Sequence, residues 1–237
     1  MSRTPAPHGR VGRPPVTSRA QILTAARRLI DQDGWEKLTI RGLAAEIGIG
    51  ATTLYHHVRD KEDLLFLLVN EYAEQIPHPE LPSEPRERII AAATAIHDAL
   101  AAWPWAAEVL TTDGFITRLG HSALQLVETI LAAAVELGCT QEQAVDVFRG
   151  IWYYTVGEIL VRVRAHYSRT QEDVEEASRR DVFPDGVDAS QLPQLAALRT
   201  RWATLAWRDT YPQGLRILVE GLVSDDSSDR RVARPGD

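Results

Sequence analysis

The sequence predicts an all-α chain with a small N-terminal unit of short helices and a larger helical body behind it. Three observations predict it. Apolar residues recur at helical spacing from Ile22 onward, and no stretch alternates as a half-buried strand would. Helix starts and stops are written locally, with Ser18, Thr39, Asp60 and Thr140 placed as N-caps and Gly34, Gly48 and Gly138 as terminators. Charge is unevenly divided: residues 1–61 carry ten Lys/Arg against five Asp/Glu, and residues 62–237 carry sixteen against twenty-eight.

The bounds are permissive on size and restrictive on class. A chain of 237 residues allows one large or two small domains, and 44% hydrophobic residues suffice for a packed core. No apolar run approaches the ~20 residues that span a bilayer, and no apolar stretch follows the first arginines as in a secretory signal. Cys139 is the single cysteine, which excludes an intrachain disulfide framework and a cysteine zinc cluster and suits a reducing, cytoplasmic setting.

Residues 1–17, with four prolines, Gly9 and Gly12, are expected to form a mobile basic arm. The first helix starts at Ser18, turns Ile22, Ala25, Ala26, Leu29 and Ile30 inward, and ends at Gly34. The second runs from Thr39 to Ile47 with Leu43, Ala44 and Ile47 inward, and Gly48 closes it in a left-handed conformation. The third spans Ala51 to His57. Asp60 caps the fourth, Lys61 to Gln75, whose Glu62 and Asp63 complement its dipole. Pro77, Pro79, Pro82 and Pro85 read as a linker.

In the body, Arg86 to Trp103 forms a helix stopped by Pro104, and Phe115 to Leu137 a second closed by Gly138. Thr140 caps a long helix through His166. Ser168 to Asp188 reads as a polar, acidic loop with a short helical piece. Gln191–Asp209 and Pro212–Val223 are the last two helices, and residues 224–237 a tail without fixed structure. The domains are thus an arm at 1–17, a three-helix helix-turn-helix at 18–60, a connecting helix at 61–76, and a body at 86–223.

Two short helices around a glycine turn, behind six arginines that precede any acidic residue, point to nucleic acid. Leu54 and Val58 anchor the third helix inward. Thr52, Thr53, His56 and His57 then offer hydroxyl and imidazole groups to base edges or phosphates. Gly50 admits a close backbone approach, and Tyr55 can lay its ring on the module with its hydroxyl on a phosphate. Lys61 opens the fourth helix, where an ammonium beside free N–H groups suits a phosphate oxygen. Arg41, just after Thr39, could fork onto a guanine. Arg10 and Arg13 could enter a minor groove.

LTIRGLAAEIGIGATTLYHHVRDKEDLL, Leu38 to Leu65, resembles the DNA-binding domain of the TetR-type transcriptional regulators, with Leu54, Tyr55, His57, Val58 and Lys61 on the family signature. The Thr39–Ile40–Arg41 start and TLYHHV lie nearest the tetracycline-repressor branch. The resemblance implies DNA contacts at Arg41, Ala51, Thr52, Thr53, Tyr55, His56, His57 and Lys61, with Thr39 and Gly50 completing the candidates. Ala51 and Thr52 depart from that branch's usual side chains, which implies a different operator.

PWAAEVL, QAVDVFRGIWYYTVGEIL and YPQGLRILVEGL are similar to the tetracycline-repressor-like ligand-binding domain. That similarity implies a homodimer through helices at 141–166 and 212–223, a pseudo-palindromic double-stranded operator, and a small-molecule effector. The aromatic residues Trp103, Trp105, Phe115 and Trp152 and the polar residues His97, Arg118, Thr155 and Glu158 are the candidate effector contacts. The tetracycline repressor holds a magnesium–drug chelate through a histidine and a carboxylate. Val161 and Asp113–Gly114–Phe115 stand at the matching places, so no metal and no cofactor is expected.

The expected function is a ligand-responsive repressor released by a small hydrophobic or aromatic molecule, with an activator or a regulator acting through a protein partner left open. No GxSxG, HExxH, P-loop or dinucleotide fingerprint is present, so no enzyme is expected.

Overall fold

The computed structural model describes residues 18–76, 81–167, 190–199 and 201–224. The expected arm with Arg10 and Arg13, the linker prolines Pro77 and Pro79, the acidic loop at 168–188 and the tail beyond residue 224 lie outside the described residues. Everything assigned among the described residues is helical or irregular. The chain divides into two units, 1–68 and 69–237.

In the first unit, α1 (Arg19–Asp33) opens on a reciprocal capping box: the Gln21 amide donates to Ser18 Oγ at 3.2 Å and the Ser18 amide to Gln21 Oε1 at 3.0 Å. It ends at Gly34, and a 3-10 turn at Trp35–Lys37 comes next. In α2 (Ile40–Glu46) the Thr39 hydroxyl accepts from the Gly42 amide at 3.0 Å. Gly48, at φ 71°, turns the chain so that the Ile49 amide reaches the Ala44 carbonyl at 3.0 Å. The third helix, α3 (Ala51–Tyr55), is shorter than expected. His56 and His57 lie in a turn where the His57 amide bonds the Leu54 carbonyl at 2.9 Å, because Val58 must be pulled inward. Ile22, Ala26, Leu43, Leu54, Val58, Leu64 and Leu68 form the core.

The fourth helix, α4 (Lys61–Ala73), carries the boundary between the units within it and relaxes into a turn at Glu74–Gln75. The first unit thus extends beyond the expected 18–60 to take in the first two turns of α4.

The second unit contains α5 (Pro85–Ala102), α6 (Pro104–Val109), α7 (His121–Glu136), α8 (Gln141–Tyr167), α9 (Pro193–Leu198), α10 (Trp202–Ala206) and α11 (Tyr211–Ser224). Several expectations are corrected here. Pro85 is the first residue of α5 rather than linker: its missing N–H is an orphan at that position anyway, and Glu84 caps the turn through the Glu87 amide at 2.8 Å. Pro104 likewise opens a helix, α6, instead of only ending one.

The expected helix from Phe115 to Leu137 is broken. Phe115–Arg118 is a 3-10 turn behind Gly114 (φ 71°), and α7 starts only at His121. The break has a partner 50 residues away: the Gly120 amide donates to Asn70 Oδ1 at 2.7 Å, and Asn70 Nδ2 donates to the Arg118 carbonyl at 3.0 Å. Similarly, the expected helix Gln191–Asp209 is two short pieces, the first opening at Pro193. The Arg201 amide turns back onto the Leu198 carbonyl at 2.8 Å between them.

The body's core runs along α5, α7, α8 and α11 through Ile89, Ile130, Val147, Ile151, Ile159, Leu215 and Val219. Ala92 and Ala93 on α5 and Ala133 and Ala134 on α7 are buried, and their small side chains let these helices pack closely. Glycine does the same for α8 and α11, since a Cβ on Gly150 would lie 3.0 Å from Leu222 Cδ1.

Candidate functional site

Two candidate sites stand in the molecule, one in each unit. In the first, α3 buries Leu54 and turns Thr52, Thr53 and Tyr55 to solvent, and the turn after it exposes His56 and His57. Tyr55 is 53% exposed, so its ring and hydroxyl are open to a partner. Arg41 and Gly50 are exposed and Ala51 is half-buried. Gly50 caps α3 through its carbonyl, which accepts from the Thr53 amide at 2.9 Å. Thr39 spends one lone pair on its own helix and keeps its hydroxyl proton for another acceptor.

Lys61 has a more specific setting than its sequence suggests. Its Nζ donates to the Glu36 carbonyl at 2.8 Å and sits 5.2 Å from the centroid of the Trp35 ring. Two of its three donors stay available for phosphate, but the ammonium is fixed in place rather than free on a flexible stem. The face carries acceptors, donors and aromatic surface without a catalytic pairing.

In the second unit an apolar cavity of about 70 Å³ is lined by Val69, Tyr72 and Ala73 at the end of α4 and by Ile76 just beyond it. Its other walls come from α5, the Phe115 turn, α7 and α8. Trp103, Phe115 and Trp152 of the expected effector contacts line it. Tyr72 stacks on Trp103 with centroids 3.9 Å apart, and Phe115 stacks on Trp152 at 4.9 Å. Trp105 stands beside this group, 5.9 Å from Tyr72, without lining the cavity. A wider groove of about 790 Å³ adjoins the same Phe115–Trp152 pair and is lined on its outer side by Thr111, Thr112, Asp113, Arg149 and Tyr153.

The structure does not bring the polar candidates to the cavity. Arg118 offers its backbone carbonyl to Asn70 and does not line the space. His97, Thr155 and Glu158 gather instead around Tyr211. The His97 ring stacks on Tyr211 at 3.8 Å, and its two nitrogens face Asp98 at 3.0 Å and Glu158 at 3.1 Å. Glu158 also pairs with Arg162, which reaches Asp209 at 3.0 Å. Thr155, 1% exposed, shares a hydrogen bond of 2.8 Å with the Tyr211 hydroxyl. Burial pushes the Tyr211 phenol up to about 12, despite the Thr155 hydrogen bond that pulls it down. The hydrogen bonds, ring stacking and ion pairs among these groups tie α5, α8 and α11 together. Among the described residues no three His, Cys, Asp or Glu side chains group as metal ligands would.

Sequence reasoning missed Asn70, Tyr72, Leu126, Val127 and Phe148 at this site. Tyr72 and Phe148 were visible as aromatics on helical faces, but only the fold shows which face meets the cavity. Asn70 carries no sequence signal of its role.

Comparison with known proteins agrees with this division. Residues 22–68 match the family model of bacterial regulatory proteins of the tetR family, and residues 78–225 match the tetracyclin repressor-like C-terminal domain. An HTH-type transcriptional regulator of Saccharopolyspora erythraea is 30% identical over 213 residues, covering 89% of this chain and 86% of its own length. The class A tetracycline repressor protein of transposon 1721 from Escherichia coli is 28% identical, covering 90% of this chain and 94% of its own.

Among solved structures, ActR of Streptomyces coelicolor in complex with actinorhodin superposes with a TM-score of 0.69 at 20% identity, covering 88% and 98% of the two chains. BioQ with its double-stranded DNA operator gives 0.59 at 20% identity, covering 88% and 99%. At those identities the structures speak to the fold. No described helix is long and apolar enough to cross a membrane. With a helix-turn-helix unit and a helical body that both match their family models, the chain belongs to the tetR family of bacterial regulatory proteins: it is a DNA-binding transcriptional regulator and not an enzyme.

Proposed function

We propose that the protein acts in the bacterial cytoplasm as a homodimer that holds a pseudo-palindromic operator and releases it when a small apolar or aromatic effector enters the body. The observation that carries the DNA half is the α3 face, where Thr52, Thr53, Tyr55, His56 and His57 are exposed around the buried anchors Leu54 and Val58. On this reading these residues and Arg41 read the major groove, while Thr39, Gly50 and Ala51 approach the backbone and Lys61 holds a phosphate.

Dimerisation is read from α8 and α11. Val145, Tyr153 and Val161 of α8 are 46%, 60% and 69% exposed, and Ile217 of α11 is 62% exposed. Tyr153 and Val161, eight positions apart, fall within one stripe about 80° wide, whereas Val145 lies about 160° round the helix from Val161. A second copy of the same pair of helices would cover that stripe as a four-helix bundle. The pair would set the spacing of two α3 helices, as successive major grooves require.

Effector response is read from α4. Val69, Tyr72 and Ala73 line the cavity, and Asn70 holds the Phe115–Gly120 turn, so a guest that moves either must move the end of a helix whose first turns belong to the DNA-binding unit. A guest lowers DNA affinity only by favouring the state with the wrong spacing.

The test is fluorescence anisotropy of labelled DNA from the region beside the protein's own gene, with Tyr55→Ala as the variant. Specific, salt-dependent binding weakened about tenfold or more by Tyr55→Ala supports the reading. Binding that is equal on random DNA and indifferent to the substitution contradicts it. Ile217→Arg should convert the dimer to monomer in sedimentation; an unchanged dimer would place the interface elsewhere.

A further inference from the structure

Lysine is rare in this chain. Of 26 Lys and Arg residues only Lys37 and Lys61 are lysine, and both belong to the first unit. Lys61, half-buried at the first position of α4, is held by the turn between α1 and α2, 25 residues earlier. Its Nζ donates to the Glu36 carbonyl at 2.8 Å and lies over the half-buried Trp35 ring, 5.2 Å from the centroid. The Trp35 carbonyl is engaged by the Leu38 amide at 3.2 Å, which closes the turn, so the next carbonyl, that of Glu36, meets the ammonium.

Both of these partners are neutral. A carboxylate in the same place would hold the ammonium and cancel its charge, whereas a carbonyl and an indole face hold it and leave the charge whole. Acids close by in sequence are engaged elsewhere: Asp63 pairs with Arg59 at 3.1 Å, and Asp60 Oδ1 accepts from the Asp63 amide at 2.7 Å. A lysine stem free in solvent loses rotamer freedom when a phosphate orders it, and that loss weakens binding. The Lys61 stem already has two contacts before DNA arrives.

Resting on the reading of Lys61 as a phosphate contact, we propose that Trp35 is a positioning residue for operator binding. Its ring, together with the Glu36 carbonyl, fixes the Lys61 ammonium for a backbone phosphate without neutralising it. Trp35 acts through Lys61 and needs no contact of its own with DNA. The same seat ties the start of α4 to the turn that leads into Thr39 and Arg41.

Two measurements on the full-length protein test this. With isotope-labelled lysine, nuclear magnetic resonance shows Lys37 and Lys61 alone, and Lys61→Gln assigns them by deleting one signal. In the free protein the ε-methylene of Lys61 should lie upfield of that of Lys37, because the indole ring shields it. Trp35→Leu should bring the two together and Trp35→Phe should keep most of the separation. The second measurement is anisotropy of labelled DNA from the region beside the protein's own gene, over a series of salt concentrations. Lys61→Gln should lower the salt slope by about one ion. Trp35→Leu keeps apolar bulk and every charge, and should weaken binding about two- to fivefold at an unchanged slope, with most of the loss restored by Trp35→Phe. In a Lys61→Gln background Trp35→Leu should have no further effect. Circular dichroism checks each variant's fold; should Trp35→Leu fail to fold, the Lys61 signal of the unsubstituted protein decides.

An unshielded Lys61 signal, no weakening by folded Trp35→Leu, or equal weakening with and without Lys61 would overturn the proposal and leave Trp35 a packing residue of the first unit. Unchanged affinity and slope in Lys61→Gln would instead fail the phosphate reading on which the proposal rests. Absence of specific binding by the unsubstituted protein would fail the regulator reading itself.

Discussion

Asn70→Ala probes a side chain that joins the end of α4 to the Phe115–Gly120 turn by two hydrogen bonds. The substitution removes the 3.0 Å bond to the Arg118 carbonyl and the 2.7 Å bond from the Gly120 amide, both part-buried. Each is worth about 0.5–1.5 kcal/mol net, and groups left without a partner add to the loss, so local opening of the turn becomes easier by about 2 kcal/mol. Amide exchange at Gly120 and its neighbours then speeds up about 30-fold. Asn70→Asp keeps an acceptor for Gly120 but loses the donor to Arg118, so its effect is intermediate. Hydrogen exchange read by mass spectrometry on peptides covering 115–124 makes the measurement. The same variant should shrink an effector's influence on operator affinity by about fivefold or more, the lower end of ordinary coupling energies. Unchanged exchange over 115–120, or an increase spread evenly over the body, would refute the reasoning.

Other expectations attach to single positions. Gly48→Val should destabilise the first unit by about 1–2 kcal/mol in urea denaturation, because Gly48 sits at φ 71° with nothing near its Cβ position and the cost is conformational alone. Lys61→Ala should cost about 1 kcal/mol by loss of the Glu36 carbonyl and Trp35 contacts, and should lower the salt slope of DNA binding by about one ion. Tyr211, raised in the folded protein to about 12 against an ordinary 10, contributes stability that is whole below pH 10 and is lost as pH rises through 12; Tyr211→Phe should flatten that part of the stability–pH curve.

The DNA-binding unit was legible in the sequence because its punctuation is local. Ser18 and Gln21 cap each other three residues apart, Thr39 bonds Gly42, and Gly48 needs a backbone that glycine adopts readily. With the helices placed, Leu54 and Val58 fix which face of α3 is inward, and the exposure of Tyr55 and the two histidines is set with them. The body was legible as helices and less so in its breaks. Nothing near Gly120 announces that α7 starts after it, since the partner that holds its amide, Asn70, lies 50 residues earlier. Proline read as a stop at Pro104 and as linker at Pro85, while both occupy first-turn positions where the same lack of an N–H is harmless. The aromatic candidates were visible by composition, and Trp103, Phe115 and Trp152 do line one cavity. That His97 bonds Glu158 and Thr155 bonds Tyr211 is a matter of three helices meeting, which spacing along one helix does not encode.

The measurement that bears most directly on the account is a hydroxyl-radical footprint of the protein on DNA beside its own gene, with Tyr55→Ala run alongside. A dimer placing two α3 helices in successive major grooves predicts two protected patches about one helical turn apart, related by a dyad, which Tyr55→Ala weakens together. A single patch, protection without a dyad, or protection that Tyr55→Ala leaves intact would contradict it.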